Sequence, residues 1–423
     1  MEKLEIAKIE ALEILDSRGN PTLRVKVTLR GGAIGIASVP SGASTGKYEA
    51  HELRDKDEMR YGGKGVLQAI ENVEKIITPA LLGVLASDSV RCDHIMIALD
   101  GTQNKSNLGA NTILSVSLAI AKAAAKGMGI PLYRYLGGYT ANQIPIPMMN
   151  IINGGVHASN GLDVQEFMIL PIGAISFSEG VRMCAEIYHV LRQSLGKQGM
   201  TTAVGDEGGF APALKNDEDA IDRIVAAIRT AGYDPGEDVF IGLDVASGDW
   251  YKEEKYRLSK SGSVFTSTEL IEKYRSLCEK YPIYSIEDGL AEDDIEGWQK
   301  LTRALGDHHK RVGDDLFVTN TERLFFGYHK KIANSILIKP NQIGTLSETA
   351  TAVMLAKQCG YKVILSHRSG DTGDTSIADM AVAFGADFIK SGAPCRSERT
   401  EKYNRLIAIE SEMFSPRYGS MIK

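Results

Sequence analysis

Six short apolar runs in the second half of the chain each end in a charged or metal-binding side chain: IGLD at Asp244, YSIE at Glu287, RVGD at Asp314, LIK at Lys339, ILSH at His367 and FIK at Lys390. After an opening gap of 43 residues the intervals are 27, 25, 28 and 23. About 25 residues is what one buried strand, one covering helix and two short loops consume. The pattern predicts a repeating β/α unit with its chemistry at one end of every strand. In a parallel barrel that end is the C-terminal face.

The beginning of the chain reads differently. Leu23, Val25, Val27 and Leu29 alternate with Arg24, Lys26 and Thr28, so one strand face is wet and an antiparallel sheet is expected; Gly31 and Gly32 supply the turn of a hairpin. Helical patterns follow over about 65–83 and 109–127. Strands first and helices after predict an α+β domain over 1–137. From Ile144 onward, short buried strands such as IPIPMMNII, FMILPI and VFIGLDV alternate with helices. Ile221, Ile224, Val225 and Ile228 share one face of the helix expected after Asp217. Thr345 and Glu348 form a capping-box pattern, with Gly360 as that helix's stop. The 286 residues of 138–423 suit one TIM-like β/α barrel, ordinarily about 250 residues. The fold class expected is therefore α/β, a barrel preceded by an α+β domain.

Composition narrows the function classes. The chain has 423 residues, 43% hydrophobic and 24% charged, which is ordinary for a globular protein and excludes disordered and collagen-like chains. A net charge of -6 leaves no basic footprint for nucleic acid. Five cysteines without CxxC spacing point to reduced thiols in a cytosol. The start, MEKLEIAKIEA, has no apolar signal core, and the richest apolar stretch, Ile113 to Ala125, is interrupted by Ser115, Ser117 and Lys122, so no membrane span is expected.

Asp244, Glu287 and Asp314 offer hard oxygen donors at successive strand ends. Each alone could cap a helix, but three in series favour a magnesium site. Lys339 and Lys390 on the same rim are either ion-pair partners or a base and a charge stabiliser for proton abstraction beside a carboxylate. GDEGGF places Asp206 and Glu207 in a glycine-rich turn after a strand, where Glu207 could protonate a departing hydroxyl. SHRSG joins Arg368 to Ser369 as an anion clamp. His157, Gln165 and Glu166 complete the polar set. The run VPSGASTGK, residues 39–47, reads as a linker or as a lid over a ligand. It is no P-loop, because Ser41 and Tyr48 stand where Gly and Ser or Thr would be needed.

With DSRGNPT, PSGASTG, GDEGGF, SIED, GDDLFVTN, NQIGT, SHRSG and KSGAPCRSER in order, the chain resembles the enolase family of the prokaryotic type from end to end. The resemblance implies magnesium-dependent, reversible dehydration of 2-phospho-D-glycerate to phosphoenolpyruvate in glycolysis and gluconeogenesis. It implies Lys339 as the base at C2 and Glu207 as the acid at the C3 hydroxyl. Asp244, Glu287 and Asp314 would bind the first magnesium, and Ser44 a second that arrives with substrate. Arg368 and Ser369 would hold the phosphate; His157, Gln165, Glu166 and Lys390 would make the remaining substrate contacts. The barrel would open with two strands and two helices, one strand antiparallel, and the long gap before Glu287 would hold an extra hairpin around Trp250 to Leu258. A homodimer or homo-octamer in the cytoplasm is implied. The competing readings are another acid-sugar dehydratase or racemase of the superfamily, and an added surface-binding role through the terminal Lys423. Three positions depart from the family pattern: Asp371 where Glu is usual, Ser159 where Gly is common, and Pro340 after Lys339.

Overall fold

The computed structural model describes residues 2–42 and 46–419. Ser44 and Lys423 lie outside the described residues. The chain opens with strands β1 (Ile6–Leu15), β2 (Pro21–Leu29) and β3 (Ile34–Ser38), an antiparallel sheet in that order. As the alternation requires, Leu23, Val25, Val27 and Leu29 of β2 are buried. Helical turns over 67–81 follow, then α1 (Ser89–Asp100) and α2 (Ala110–Met128). The inner face of α1 buries Cys92, Asp93, Met96 and Asp100, half of them acidic, so its amphipathic pattern is faint. Helix α2 lies buried against β2 and β3, which is why its apolar run needs no membrane. Among the described residues no single helix is long and apolar enough to cross one.

Backbone meets backbone where α2 crosses β3. A Cβ on Gly35 would sit 2.1 Å from the Ala119 carbonyl oxygen and 2.3 Å from the Ala123 nitrogen. Gly35→Ala therefore cannot be absorbed by a rotamer change and must push the helix off the sheet. We expect a loss of about 3 kcal/mol in urea unfolding. An unchanged midpoint would mean that helix and sheet separate at little cost.

The remainder closes into an eight-stranded barrel of β4 (Ile146–Asn153), β5 (Glu166–Leu170), β6 (Phe240–Asp244), β7 (Ile283–Glu287), β8 (Lys310–Gly313), β9 (Ser335–Ile338), β10 (Lys362–Ser366) and β11 (Phe388–Lys390). Strand β5 runs antiparallel to both neighbours; every other pair is parallel. Two helices, α3 (Phe177–Lys197) and α4 (Asp217–Thr230), follow β5. Ile221, Ile224 and Ile228 of α4 are buried, with Val225 at the margin. From β6 on, strand and helix alternate, which is the rhythm seen in the sequence. The long gap after Asp244 holds a three-stranded antiparallel meander, Tyr251–Lys252, Lys255–Arg257 and Val264–Phe265, one strand more than the expected hairpin. The Asp163 carboxylate fastens it by accepting from the backbone N–H groups of Lys260 (2.8 Å) and Ser261.

The capping box at Thr345 is half realised. Its hydroxyl accepts from the Glu348 N–H at 3.1 Å and donates to Glu348 Oε2 at 2.6 Å, while Glu348 Oε1 accepts from the buried Lys105 ammonium at 2.9 Å. Pro340 opens a short helical turn, Pro340–Ile343, at a position where a missing N–H leaves nothing unpaired.

Candidate active site

Strand register lines up the acids. Glu166 at the start of β5, Asp244 at the end of β6 and Glu287 at the end of β7 are direct neighbours across the sheet. Only an antiparallel β5 can bring its N-terminal residue to the rim that the other strands reach with their C-terminal ends. Asp314, Lys339 and His367 each follow their strand by one residue, and Lys390 ends β11. A cleft of about 400 Å³ opens here, lined among others by Glu207, Asp244, Asp314, Lys339, Arg368 and Lys390. His157, Gln165, Glu166 and Ser369 also reach it. Glu287, 1% exposed, lies beneath the lining.

The ammonium of Lys390 lies 2.8 Å from Asp244 Oδ2, 2.9 Å from Glu287 Oε1 and 3.1 Å from Glu166 Oε2. Burial disfavours its charge, but Asp244, Glu166 and Glu287 outweigh burial and hold it well above the ordinary lysine range. One positive charge does not balance three acids: burial and the Asp244 charge push Glu287 well up, and burial and the Glu207 charge do the same to Glu166. Asp314 is engaged separately, paired with Lys339 through Oδ2 and with Gln342 Nε2 through Oδ1 at 2.9 Å. Burial opposes both charges in that pair; Asp314 still holds Lys339 above its usual value, and Lys339 holds Asp314 below its own.

These residues suit a divalent cation. The Glu287 Oε2 atom is buried with no hydrogen-bond partner, and the excess of acid over ammonium is what a dication would neutralise. The three acids read as one ligand set are divided here between Lys390 and Lys339. Asp314 instead lies with Asp288 and Asp315 in a group whose oxygens fall within 4.8 Å of one another. Asp288 is committed elsewhere, accepting from the Asp314 and Asp315 N–H groups at 2.9 and 2.8 Å, and so it shapes the turn that carries Asp314.

A second group, His157, Glu166 and Glu207, also falls within 4.8 Å. Arg399 donates to His367 Nδ1 at 2.5 Å, which leaves the His367 proton on Nε2, 3.5 Å from Glu207 Oε2. Burial lowers His367 to about 4 against the pull of the Glu207 charge, with the Arg399 charge acting in the same direction as burial. Burial opposes the charge of Glu207, but His367, His157 and Arg399 outweigh it and hold that carboxyl well below the usual range. Of these two facing acids, Glu166 is thus held up and Glu207 down.

Arg368 is gripped by Glu49 from the first part of the chain, at 2.9 and 3.2 Å, and by Asn341 Oδ1 at 3.1 Å. Five further residues serve the site and are not among the candidates above: Glu49, Asn150, whose Nδ2 donates to Glu207 Oε2 at 3.2 Å, Thr319, Gln342 and Arg399. Gln342 stood inside the NQIGT motif and Arg399 at the end of KSGAPCRSER; Glu49 carried no local signal. The departures are absorbed. Buried Asp371 accepts from Lys402 at 3.0 Å, and Ser159 is exposed.

The family model described as the enolase C-terminal TIM barrel domain matches residues 141–418, and the enolase N-terminal domain model matches residues 6–136. Enolase domains of this kind indicate a lyase-type enzyme. An antiparallel second barrel strand that delivers Glu166 beside Asp244 and Glu287, together with these matches over nearly the whole length, places the chain in the enolase family.

Proposed function

We propose that the protein catalyses the reversible, magnesium-dependent dehydration of 2-phospho-D-glycerate to phosphoenolpyruvate, a step of glycolysis and gluconeogenesis. The observation that carries this reading is one cleft holding a lysine paired to a carboxylate, two facing acids, Glu166 and Glu207, and a buried arginine beside Ser369. Arg368 and Ser369 would bind the phosphate, a dianion that an unphosphorylated acid sugar does not offer. Lys339 Nζ would take the C2 proton; Glu207 would give a proton to the C3 hydroxyl, which departs as water while the C2–C3 double bond forms. Glu207 must carry a proton for that step, and Glu166 beside it, whose carboxyl is pushed up, would supply one. His157, Gln165 and Lys390 would hold the substrate carboxylate and hydroxyl ends.

Asp244, Glu287 and Asp314 would hold the first magnesium, and Ser44 with the substrate phosphate the second. Bound magnesium would stabilise charge on the substrate carboxylate and leave less of Asp314's charge to keep Lys339 protonated. We further propose a division at 137/138 into a capping domain and a catalytic barrel, a homodimer or homo-octamer, and a cytoplasmic location.

Purified protein with magnesium and 2-phosphoglycerate is expected to produce a rise in ultraviolet absorbance as phosphoenolpyruvate forms, and EDTA to stop it. No turnover at any magnesium concentration overturns the reading. Turnover of an acid sugar in its place would select the wider superfamily.

A further inference from the structure

Gln342 has no assigned part in the metal or proton chemistry, yet it is 1% exposed and fully engaged. Its Nε2 donates to Asp314 Oδ1 at 2.9 Å and to Glu49 Oε1 at 3.3 Å; its Oε1 accepts from the Thr319 hydroxyl at 2.8 Å. Carboxylates only accept, so the amide cannot be turned over without aiming its oxygen at two acids. The backbone is pinned as well, because the Gln342 carbonyl accepts from the Ala50 N–H at 2.8 Å.

Each acid on this amide also holds a cation, Glu49 sharing its Oε1 between the amide and Arg368. Asp314 holds Lys339, and Glu49 holds Arg368 through two N–H groups at 2.9 and 3.2 Å. A continuous chain thus runs Lys339, Asp314, Gln342, Glu49, Arg368. Thr319 fixes its centre, with the hydroxyl also accepting from the Lys339 backbone N–H at 2.9 Å. Val318 and Thr319 both adopt left-handed backbone, at φ 43° and 58°. Two successive β-branched residues in that region persist only where the surroundings over-determine them, as they do at functional sites.

We propose that Gln342 is a positioning residue that couples the anion clamp at Arg368 to the Asp314–Lys339 pair. The inference rests on the site assignment above, which turnover of 2-phosphoglycerate by the unaltered protein tests separately. An anion arriving at Arg368 shares the guanidinium with Glu49. The grip of Glu49 on the amide changes with it, and Asp314 sits on the same amide. By linkage, a change at either end is felt at the other.

The test is calorimetric titration with magnesium alone, and with inorganic phosphate in EDTA, on the unaltered protein, Gln342→Met and Glu49→Gln. Methionine keeps the length and removes both donors. Gln342→Met, which touches neither ligand, is expected to weaken magnesium by about tenfold and phosphate by at least about threefold. Glu49→Gln, which breaks the chain between the amide and Arg368, is expected to change the phosphate affinity and, through Gln342, the magnesium affinity, each by about threefold; a magnesium affinity unmoved there overturns the coupling. If Gln342→Met leaves either affinity unchanged, the coupling is overturned. Should that variant fail to fold, Thr319→Val, which frees the amide oxygen and spares both donors, is expected to weaken both affinities about threefold; unchanged values there overturn the proposal equally.

Discussion

Lys339→Ala is expected to abolish exchange of the C2 proton of 2-phosphoglycerate with solvent, by about 10³- to 10⁴-fold, together with turnover. Its side chain, at the mouth of β9 and lining the cleft, is held by Asp314. Alanine removes the acceptor without reaching the acids around Lys390. Glu207→Gln should behave differently. The amide keeps the shape beside His367 and Asn150 but cannot transfer a proton, so exchange at C2 should continue while dehydration falls by about 10²-fold or more. Exchange by nuclear magnetic resonance and turnover by absorbance separate the two. If both variants lose exchange equally, the assignment of base and acid is wrong; if Lys339→Ala retains exchange, the base lies elsewhere on the rim.

How far the sequence could be read follows from the distance over which each feature is decided. The strand-end charges were legible because a buried strand and its covering helix consume a nearly constant length. Asp244, Glu287, Asp314, Lys339, His367 and Lys390 accordingly stand on the rim where that spacing put them. The antiparallel β5 carried no such signal. It was expected only from family resemblance, since five buried residues look alike in either direction. Glu348 shows a local motif joined by a remote group: one carboxylate oxygen stays on the Thr345 hydroxyl, while Lys105, 243 residues away, takes the other. Glu49 was invisible for the same reason: its place on Arg368 depends on a partner 319 residues distant. Helix α1 went unread because it buries Asp93 and Asp100 on the face where apolar residues would have announced it.

The same cross-strand register makes Lys390→Met the substitution with the largest combined effect. Its ammonium is the shared counter-charge of three acids that neighbouring strands hold side by side, at 2.8, 2.9 and 3.1 Å. Methionine fills the space and leaves Asp244, Glu287 and Glu166 uncompensated in a buried site, a loss of about 3–5 kcal/mol at neutral pH without metal. Turnover should fall about 10³-fold, since charge developing on the substrate would lose its fixed cation. The stability loss has a direction with pH. Glu166 and Glu287 are already pushed above the usual carboxyl range, mainly by burial, and without Lys390 they rise further. Groups whose folded pKa exceeds the unfolded value bind more protons in the folded state, so the deficit should shrink as pH falls through those raised values. Magnesium should also recover part of it, because a dication bound among the same acids replaces the missing charge and binds only the folded chain. Thermal unfolding in EDTA and in magnesium, across pH, checks this. A deficit unchanged by metal and by acid would mean that Lys390 serves packing, and that the acids beside it are not the metal ligands.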